Sequence, residues 1–313
     1  MSKNNSWPWD RVYVINLDTM IKRYNILKNK ISKENISNNI KRISAVHGIK
    51  ELPFGKDIED TDDIDRKWIL IEKMNEELKK KNIIHPKMGL KYPYLKPGQI
   101  GHLLSFIKTL KDAQKYNYKS ILFLEDDALI VDNFEKKFKK MFKYVPKDWD
   151  LIYLGVHKWH LNRQKPKKIN KYVCKLDGIY LKDKKNASKY RKMRNKSYQG
   201  AIWGTHALIM NRKCIDLFIE KAFPLTIPSD ILLGRLSTYY KLINAYYFCD
   251  ELVTESSSIE NIILENDTDT GDVAYLLTED YIVGDYVQDK TAQNELFDSL
   301  DDNVLDFSES NPF

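Results

Sequence analysis

The sequence predicts an α/β fold with a central mixed, mostly parallel sheet flanked by helices. Two observations carry that expectation. Short apolar runs of strand length alternate with amphipathic stretches of helical period from Arg11 to Cys249. One of those runs, Ile121-Leu-Phe-Leu124, ends in three consecutive carboxylates, Glu125, Asp126 and Asp127. Unpaired charges are too costly to bury, so the three must emerge at a strand end. The carboxyl ends of strands in an open α/β sheet are where ligands bind.

The elements follow in order. Arg11-Val-Tyr-Val-Ile-Asn16 is a first buried strand. Thr19 is placed to cap the next helix, whose Met20, Tyr24, Leu27 and Ile31 share one face. Ile43-Ser-Ala-Val46 is a short second strand, closed by Gly48. Residues 51–96 are irregular and charged, an insertion over the sheet with an amphipathic helix near Trp68–Lys80. Pro97-Gly98 precedes a helix with Ile100, Leu103, Leu104, Ile107 and Leu110 on a continuous apolar face. After the acidic strand, Phe134, Phe138, Met141 and Phe142 define a helix stopped at Pro146, and Trp149–Gly155 is a further strand. Residues 156–198 are Lys-rich and weakly periodic, which points to a long loop acting as a lid. Gly200–Met210 reads as a strand, Lys213–Ala222 as a helix, Ser229–Leu236 as another, and Tyr246–Cys249 as the last core strand.

Composition narrows the class. With 313 residues, 42% apolar, and 6 Trp, 19 Tyr and 12 Phe, the chain is globular, with one large core or two modest ones. No stretch approaches the roughly 20 uninterrupted apolar residues of a membrane span, and Met1–Pro8 lacks the apolar core of a signal peptide. Cys174, Cys214 and Cys249 are widely spaced without a CxxC pair, which argues against a disulfide framework or zinc site and suits a reducing, cytoplasmic location. From Glu265 onward there are 14 acidic residues and one basic residue, Lys290; residues 1–264 hold 50 basic and 30 acidic residues. The chain therefore divides into a domain at 1–264 and an acidic tail at 265–313 that docks in part or serves assembly, as in a homo-oligomer. A basic body attracts nucleotide phosphates, acidic glycans or nucleic acid, unless its lysines only solvate helix faces. No zinc finger or RNP-type motif supports nucleic acid as a partner.

Clustered carboxylates repel one another, and a hard cation such as Mn²⁺ or Mg²⁺ offsets that repulsion. The functional reading of Glu125-Asp126-Asp127 is a metal site gripping a phosphorylated substrate; the plain alternative is a solvated acidic turn. If the backbone stays extended, Glu125 and Asp127 project to one side and Asp126 to the other.

Several ordered segments together resemble glycosyltransferase family 25, the lipooligosaccharide and collagen hydroxylysine glycosyltransferases. They are Val14-Ile-Asn-Leu17 with Arg23 downstream, Arg42-Ile-Ser-Ala-Val-His-Gly48, Gly98-Gln-Ile-Gly101 with Ser105, Leu124-Glu-Asp-Asp127, Trp149–Gly155, Gly204-Thr205 and Pro228-Ser-Asp230. No single segment is specific, but their order and spacing over residues 11–235 are. The resemblance implies a GT-A-type fold, a nucleotide-sugar donor (UDP-galactose or UDP-glucose), Mn²⁺ or Mg²⁺, and transfer with inversion at the anomeric carbon. It places Asn16, Leu17, Arg23, Arg42, Glu125 and Asp126 at the donor and gives Asp127 and Glu125 to the metal, with Asp126 toward the ribose.

For the base that deprotonates the acceptor hydroxyl the candidate is Asp230, with an N-cap role as its alternative. Asp250 and Glu255 are further candidates, and His157 and His160 are candidate metal ligands. Arg23 and Arg42 are read as phosphate contacts or as surface residues. The chain departs from the family pattern at His47, where Asp is usual, at Phe106, where His is usual, and at His102, often Cys. The implied acceptor is hydroxylysine or galactosyl-hydroxylysine of a collagen-like protein, or alternatively a lipooligosaccharide sugar. A Lys/Asn-rich composition without a secretion signal suits a large-DNA-virus protein, in the host cytoplasm or virion. A non-catalytic glycan- or peptide-binding module on the same fold is the contrasting class.

Overall fold

The computed structural model describes residues 7–37, 39–84, 95–156, 167–176, 204–225, 227–238 and 240–255. The tail expectation, most of the lid segment, and His157 and His160 lie outside the described residues. The strands are β1 (Arg11–Asn16), β2 (Ile40–Ser44), β3 (Ser120–Glu125), β4 (Ala128–Ile130), β5 (Leu151–Tyr153), β6 (Lys167–Lys168), β7 (Val173–Lys175), β8 (Ala207–Asn211), β9 (Ala245–Phe248) and β10 (Val253–Glu255). The helices are α1 (Ile21–Lys33), α2 (Gly48–Glu51), α3 (Gly55–Glu59), α4 (Ile64–Lys80), α5 (Pro97–Lys115), α6 (Phe134–Phe142), α7 (Arg212–Ala222) and α8 (Ser229–Thr238).

Eight strands form one sheet in the order β2-β1-β3-β8-β5-β9-β7-β6. β1 is parallel to β2 and β3, β8 is antiparallel to β3 and β5, β9 is parallel to β5, and β7 is antiparallel to β9 and β6. Six of these eight strands therefore run one way, with β8 and β7 opposed, which is the mixed, mostly parallel sheet expected. β4 and β10 make a separate antiparallel ribbon.

Side-chain alternation splits the core into two layers. Tyr13, Ile15, Ile121 and Phe123 face the cluster built with α4, α5, α7 and α8. Val12, Val14, Leu122 and Leu124 face the other side, with Leu27 and Ile31 of α1 and Phe134, Phe138 and Met141 of α6. Phe106 sits at the centre of the first layer, fully buried, with edge-on rings of Phe123 and Phe218 at 4.6 and 4.9 Å. The position where the family usually carries His is thus a core position here.

The motif glycines are explained by close backbone approach. A Cβ on Gly48 would lie 1.9 Å from Pro97 O, and one on Gly101 2.6 Å from Val46 O. The loop after β2 is thereby pressed onto the first turns of α5, and Ser105 Oγ accepts from Val46 N at 2.8 Å. Similarly, a Cβ on Gly155 would lie 1.7 Å from Val253 O.

Four expectations are corrected. Thr19 does not cap α1; it lies inside a 3₁₀ turn, Asp18–Met20, and α1 begins without a side-chain cap. The region 51–96 is not irregular before Trp68, because α2, α3 and the start of α4 occupy it, with Asp63 accepting from Asp65 N and Arg66 N as the α4 cap. The Lys-rich stretch is not all loop, since β6 and β7 form a hairpin at the sheet edge, tied by the pairing of Lys168 with Cys174. The cysteines are not all free: Cys174, in the middle of β7, forms a disulfide with Cys249, just after β9, leaving buried Cys214 as the free thiol. No helix among the described residues is long and apolar enough to cross a membrane.

Candidate active site

The parallel register of β1 and β3, with Ile15 opposite Glu125, brings Asn16 and the acidic triplet to the same sheet end. The backbone leaves extended geometry immediately after Glu125, so Asp126 and Asp127 occupy a turn before β4. The premise that Glu125 and Asp127 alternate on one strand face therefore fails. The three carboxylates are instead sorted by partners.

Asp126 faces β1 and α1. Asn16, 1% exposed, donates through Nδ2 to Asp126 Oδ2 at 2.6 Å and to Met20 O at 2.9 Å. Arg23, in the first turn of α1, meets Asp126 Oδ1 at 2.8 Å and Asp127 Oδ2 at 3.8 Å. Arg42 on β2 donates from Nε to Asn16 Oδ1 at 2.8 Å and pairs with Asp18, which also accepts from Ser44 Oγ at 2.8 Å. A buried amide thus links two guanidinium groups and three carboxylates at the carboxyl ends of β1 and β2. Leu17 lies between, half-buried, its carbonyl accepting from Met20 N at 2.9 Å. Arg23 and Arg42 are committed to carboxylates, and Asp126 is held against Arg23 and Asn16.

Glu125 faces the opposite way, into a second cluster. Its Oε1 accepts from Thr205 Oγ1 at 2.5 Å and lies 3.2 Å from His102 Nε2, and His102 Nδ1 is 3.1 Å from Ser229 Oγ. Burial alone would push the Glu125 carboxyl up, but the His102 charge and the hydrogen bonds from His102 and Thr205 outweigh it and hold it well below the usual carboxylate range. Burial opposes charge on His102 in turn, and the Glu125 carboxylate raises it above the ordinary imidazole value. The two stand as an ion pair, three-quarters removed from solvent.

Asp230 is the second residue of α8, beside this pair and inside the helix rather than at its N-cap as the alternative had it, with Oδ1 accepting from Ile231 N at 2.8 Å. Burial pushes its carboxyl up to about 6; the Ile231 N–H and the His102 charge oppose the rise, and the Glu125 charge adds to it. Nearby, Tyr153 is fully buried on β5.

The other candidates sit elsewhere. Asp250 is exposed in a bend after β9. Glu255 ends β10, its backbone opposite Ala128 and so next to the acidic turn. His47 is an N-cap, its Nδ1 accepting from Lys50 N at 3.4 Å, which is the structural service an Asp at that position would give. His102, Thr205 and Ser229 carried no predicted role. Thr205 and Ser229 stand in motif segments, but their convergence depends on α5, the loop before β8 and α8 meeting over β3.

Among the described residues no three His, Cys, Asp or Glu side chains converge as a closed cation site. The donor set nevertheless fits a hard cation. Asp127 is partly exposed at the turn, and Mg²⁺-like ions take one or two protein carboxylates and complete their shell with phosphate oxygens and water. With Glu125 held by His102 and Thr205, Asp127 is the carboxylate best placed for that role.

An acidic turn with basic partners at the carboxyl end of a mixed, mostly parallel sheet forms a candidate site for a phosphorylated ligand. The family model for glycosyltransferase family 25, described as LPS biosynthesis protein, matches residues 9–233. The chain belongs to that family. No curated protein matches it. Among solved structures it is similar to mouse xyloside xylosyltransferase 1 in its apo form, at 10% identity over 74% of this chain and 70% of that one, with a TM-score of 0.32. It is also similar to mannose-1-phosphate geranyltransferase from Thermus thermophilus, at 11% identity over 47% of this chain and 49% of that one, with a TM-score of 0.23.

Proposed function

We propose that this family 25 glycosyltransferase moves galactose or glucose from a UDP-sugar to an acceptor hydroxyl, with inversion. The observation that carries the reading is the junction of Asn16, Arg23, Asp126 and Asp127 at the paired ends of β1 and β3. A nucleoside diphosphate entering there meets basic and acidic groups carried on the end of the sheet.

Asp127 would hold the cation. When bound, Mn²⁺ or Mg²⁺ supplies Lewis-acid neutralisation of charge on the departing diphosphate. Asn16 fixes Asp126, Asp126 and Asp127 orient Arg23, and Arg23 turns toward phosphate when the donor enters. Arg42 and Leu17 border the same end of the sheet and line the donor's nucleoside side. Glu125 takes a positioning role, neutralised by His102 and held by Thr205.

Asp230 is the base. Its raised pKa makes it a better proton acceptor than an ordinary carboxylate while leaving it ionised at neutral pH. The acceptor we favour is hydroxylysine or galactosyl-hydroxylysine of a collagen-like chain. A lipooligosaccharide sugar is the second reading, favoured by the family's description. A donor screen with UDP-galactose and UDP-glucose plus Mn²⁺, read by UDP release with a hydroxylysine-containing peptide or a lipooligosaccharide acceptor, separates them. Silence with every donor, with and without acceptors, favours a non-catalytic binding module.

A further inference from the structure

The outer face of α6 and the turn joining β6 to β7 form a basic surface with an aromatic centre. α6 buries Phe134, Phe138 and Met141 against the sheet, which turns Lys136 and Lys140 outward. Lys140 Nζ lies 5.4 Å and Lys171 Nζ 4.8 Å from the centroid of the Tyr172 ring. The Tyr144 ring is 4.9 Å from that of Tyr172, and Asn170 Nδ2 fastens the pair by donating to Tyr144 O at 2.9 Å. Tyr144 is 45% exposed and Ile169 43%, so apolar surface lies open among the lysines. Lys136, Lys140 and Lys171 make no ion pair among the described residues. Stacking on Tyr172 orders Lys140 and Lys171 while leaving their charge uncompensated.

We propose that this face is the docking surface for the chain's own acidic segment, residues 265–313. Two observations select that occupant. Its charge is complementary, with 14 acidic residues against Lys290 alone. Its carboxylates are interleaved with apolar side chains such as Tyr275, Leu276, Tyr281 and Tyr286, which suit the exposed Tyr144 and Ile169. The described chain ends at Glu255, whose backbone lies opposite Ala128 at the end of β4 away from α6, so the segment must cross back to reach the surface. The nine residues between Glu255 and Glu265 reach up to about 30 Å, roughly twice the ~14 Å length of α6.

Single exposed ion pairs contribute only about 0–1 kcal/mol, so docking depends on several pairs acting with apolar burial. It weakens as salt shortens the screening length below ~8 Å. This docking is independent of which donor or acceptor the enzyme uses.

The test is zero-length carbodiimide cross-linking of the full chain at low ionic strength, on an equal mixture of ¹⁴N- and ¹⁵N-labelled protein. Cross-links from Lys136, Lys140 and Lys171 to carboxylates within 265–313 are expected, in peptide pairs of a single isotope. They fall at least five-fold in 0.5 M NaCl. In the exposed double variant Lys136→Gln, Lys140→Gln, the remaining cross-links from Lys171 fall by a similar factor. Predominantly mixed-isotope pairs would overturn the proposal in favour of a contact between copies. Cross-links confined to lysines on other faces, or none to residues 265–313, would overturn it outright.

Discussion

Asn16 and Asp126 meet at the ends of a parallel strand pair, Nδ2 to Oδ2 at 2.6 Å, while Asn16 Oδ1 accepts from Arg42. One buried amide therefore decides where a carboxylate and a guanidinium stand. An amide is suited to this because it donates and accepts at once.

Asn16→Leu keeps the volume and removes both functions. Leaving the buried sides of Asp126 and Arg42 without this partner is expected to cost about 1–3 kcal/mol. Urea denaturation measures that loss, and titration calorimetry with UDP is expected to show weaker binding. An unchanged unfolding midpoint would mean that the amide only accompanies the network.

The Asp230 carboxyl predicts opposite effects on stability and rate. Its folded-state pKa lies near 6, above the 3.8 of an ordinary Asp, so the folded protein holds this proton more tightly than the unfolded chain. The contribution is fully present below about pH 4 and is lost as pH rises through 6. Asp230→Asn is expected to be more stable than the parent at pH 7, by on the order of 2 kcal/mol, and about 10²-fold or more slower. In the parent, kcat/KM is expected to fall tenfold per pH unit below about 6. A variant that loses stability at pH 7 while keeping activity would leave Asp230 as a structural residue of the first turn of α8 only.

His47→Asp and Gly101→Ala test the structural reading of the motif around α2 and α5. Asp is the stronger N-cap, so His47→Asp is expected to hold or raise stability by up to ~1 kcal/mol without changing donor affinity. Gly101→Ala drives a Cβ to 2.6 Å from Val46 O and 2.8 Å from Gly48 N, both backbone atoms, and is expected to destabilise by several kcal/mol. Chemical denaturation of both variants decides the point.

Local pattern made much of this fold legible. β1 and β3 are unbroken apolar runs, and α5 keeps a helical period over five turns, so each announces itself without tertiary information. The β6–β7 hairpin was hidden because β6 is two exposed lysines and only Val173 and Cys174 of β7 are buried. β10 is three residues long and meaningful only against β4. The Cys174–Cys249 bond joins residues 75 apart, which are brought together by β7–β9 pairing.

The site divides the same way. The acidic triplet, Asn16, Arg23 and Asp230 were visible because strand ends and helix starts are local features. The ion pair of His102 with Glu125, and its supports Thr205 and Ser229, come from four separate elements. The expected alternation of Glu125 and Asp127 failed because a turn begins at Asp126.

The most direct test of metal-dependent donor chemistry at this sheet end is UDP release from UDP-galactose or UDP-glucose at saturating Mn²⁺, comparing the parent with Asp127→Asn. The substitution removes one charge from the cation's carboxylate with almost no change in volume. The parent is expected to release UDP faster when a hydroxylysine-containing peptide is present. Asp127→Asn is expected to melt at an unchanged temperature and to turn over at least 100-fold more slowly. A variant that keeps near-parental rates under these conditions would contradict the assignment of Asp127 to the metal, and with it the proposed donor site.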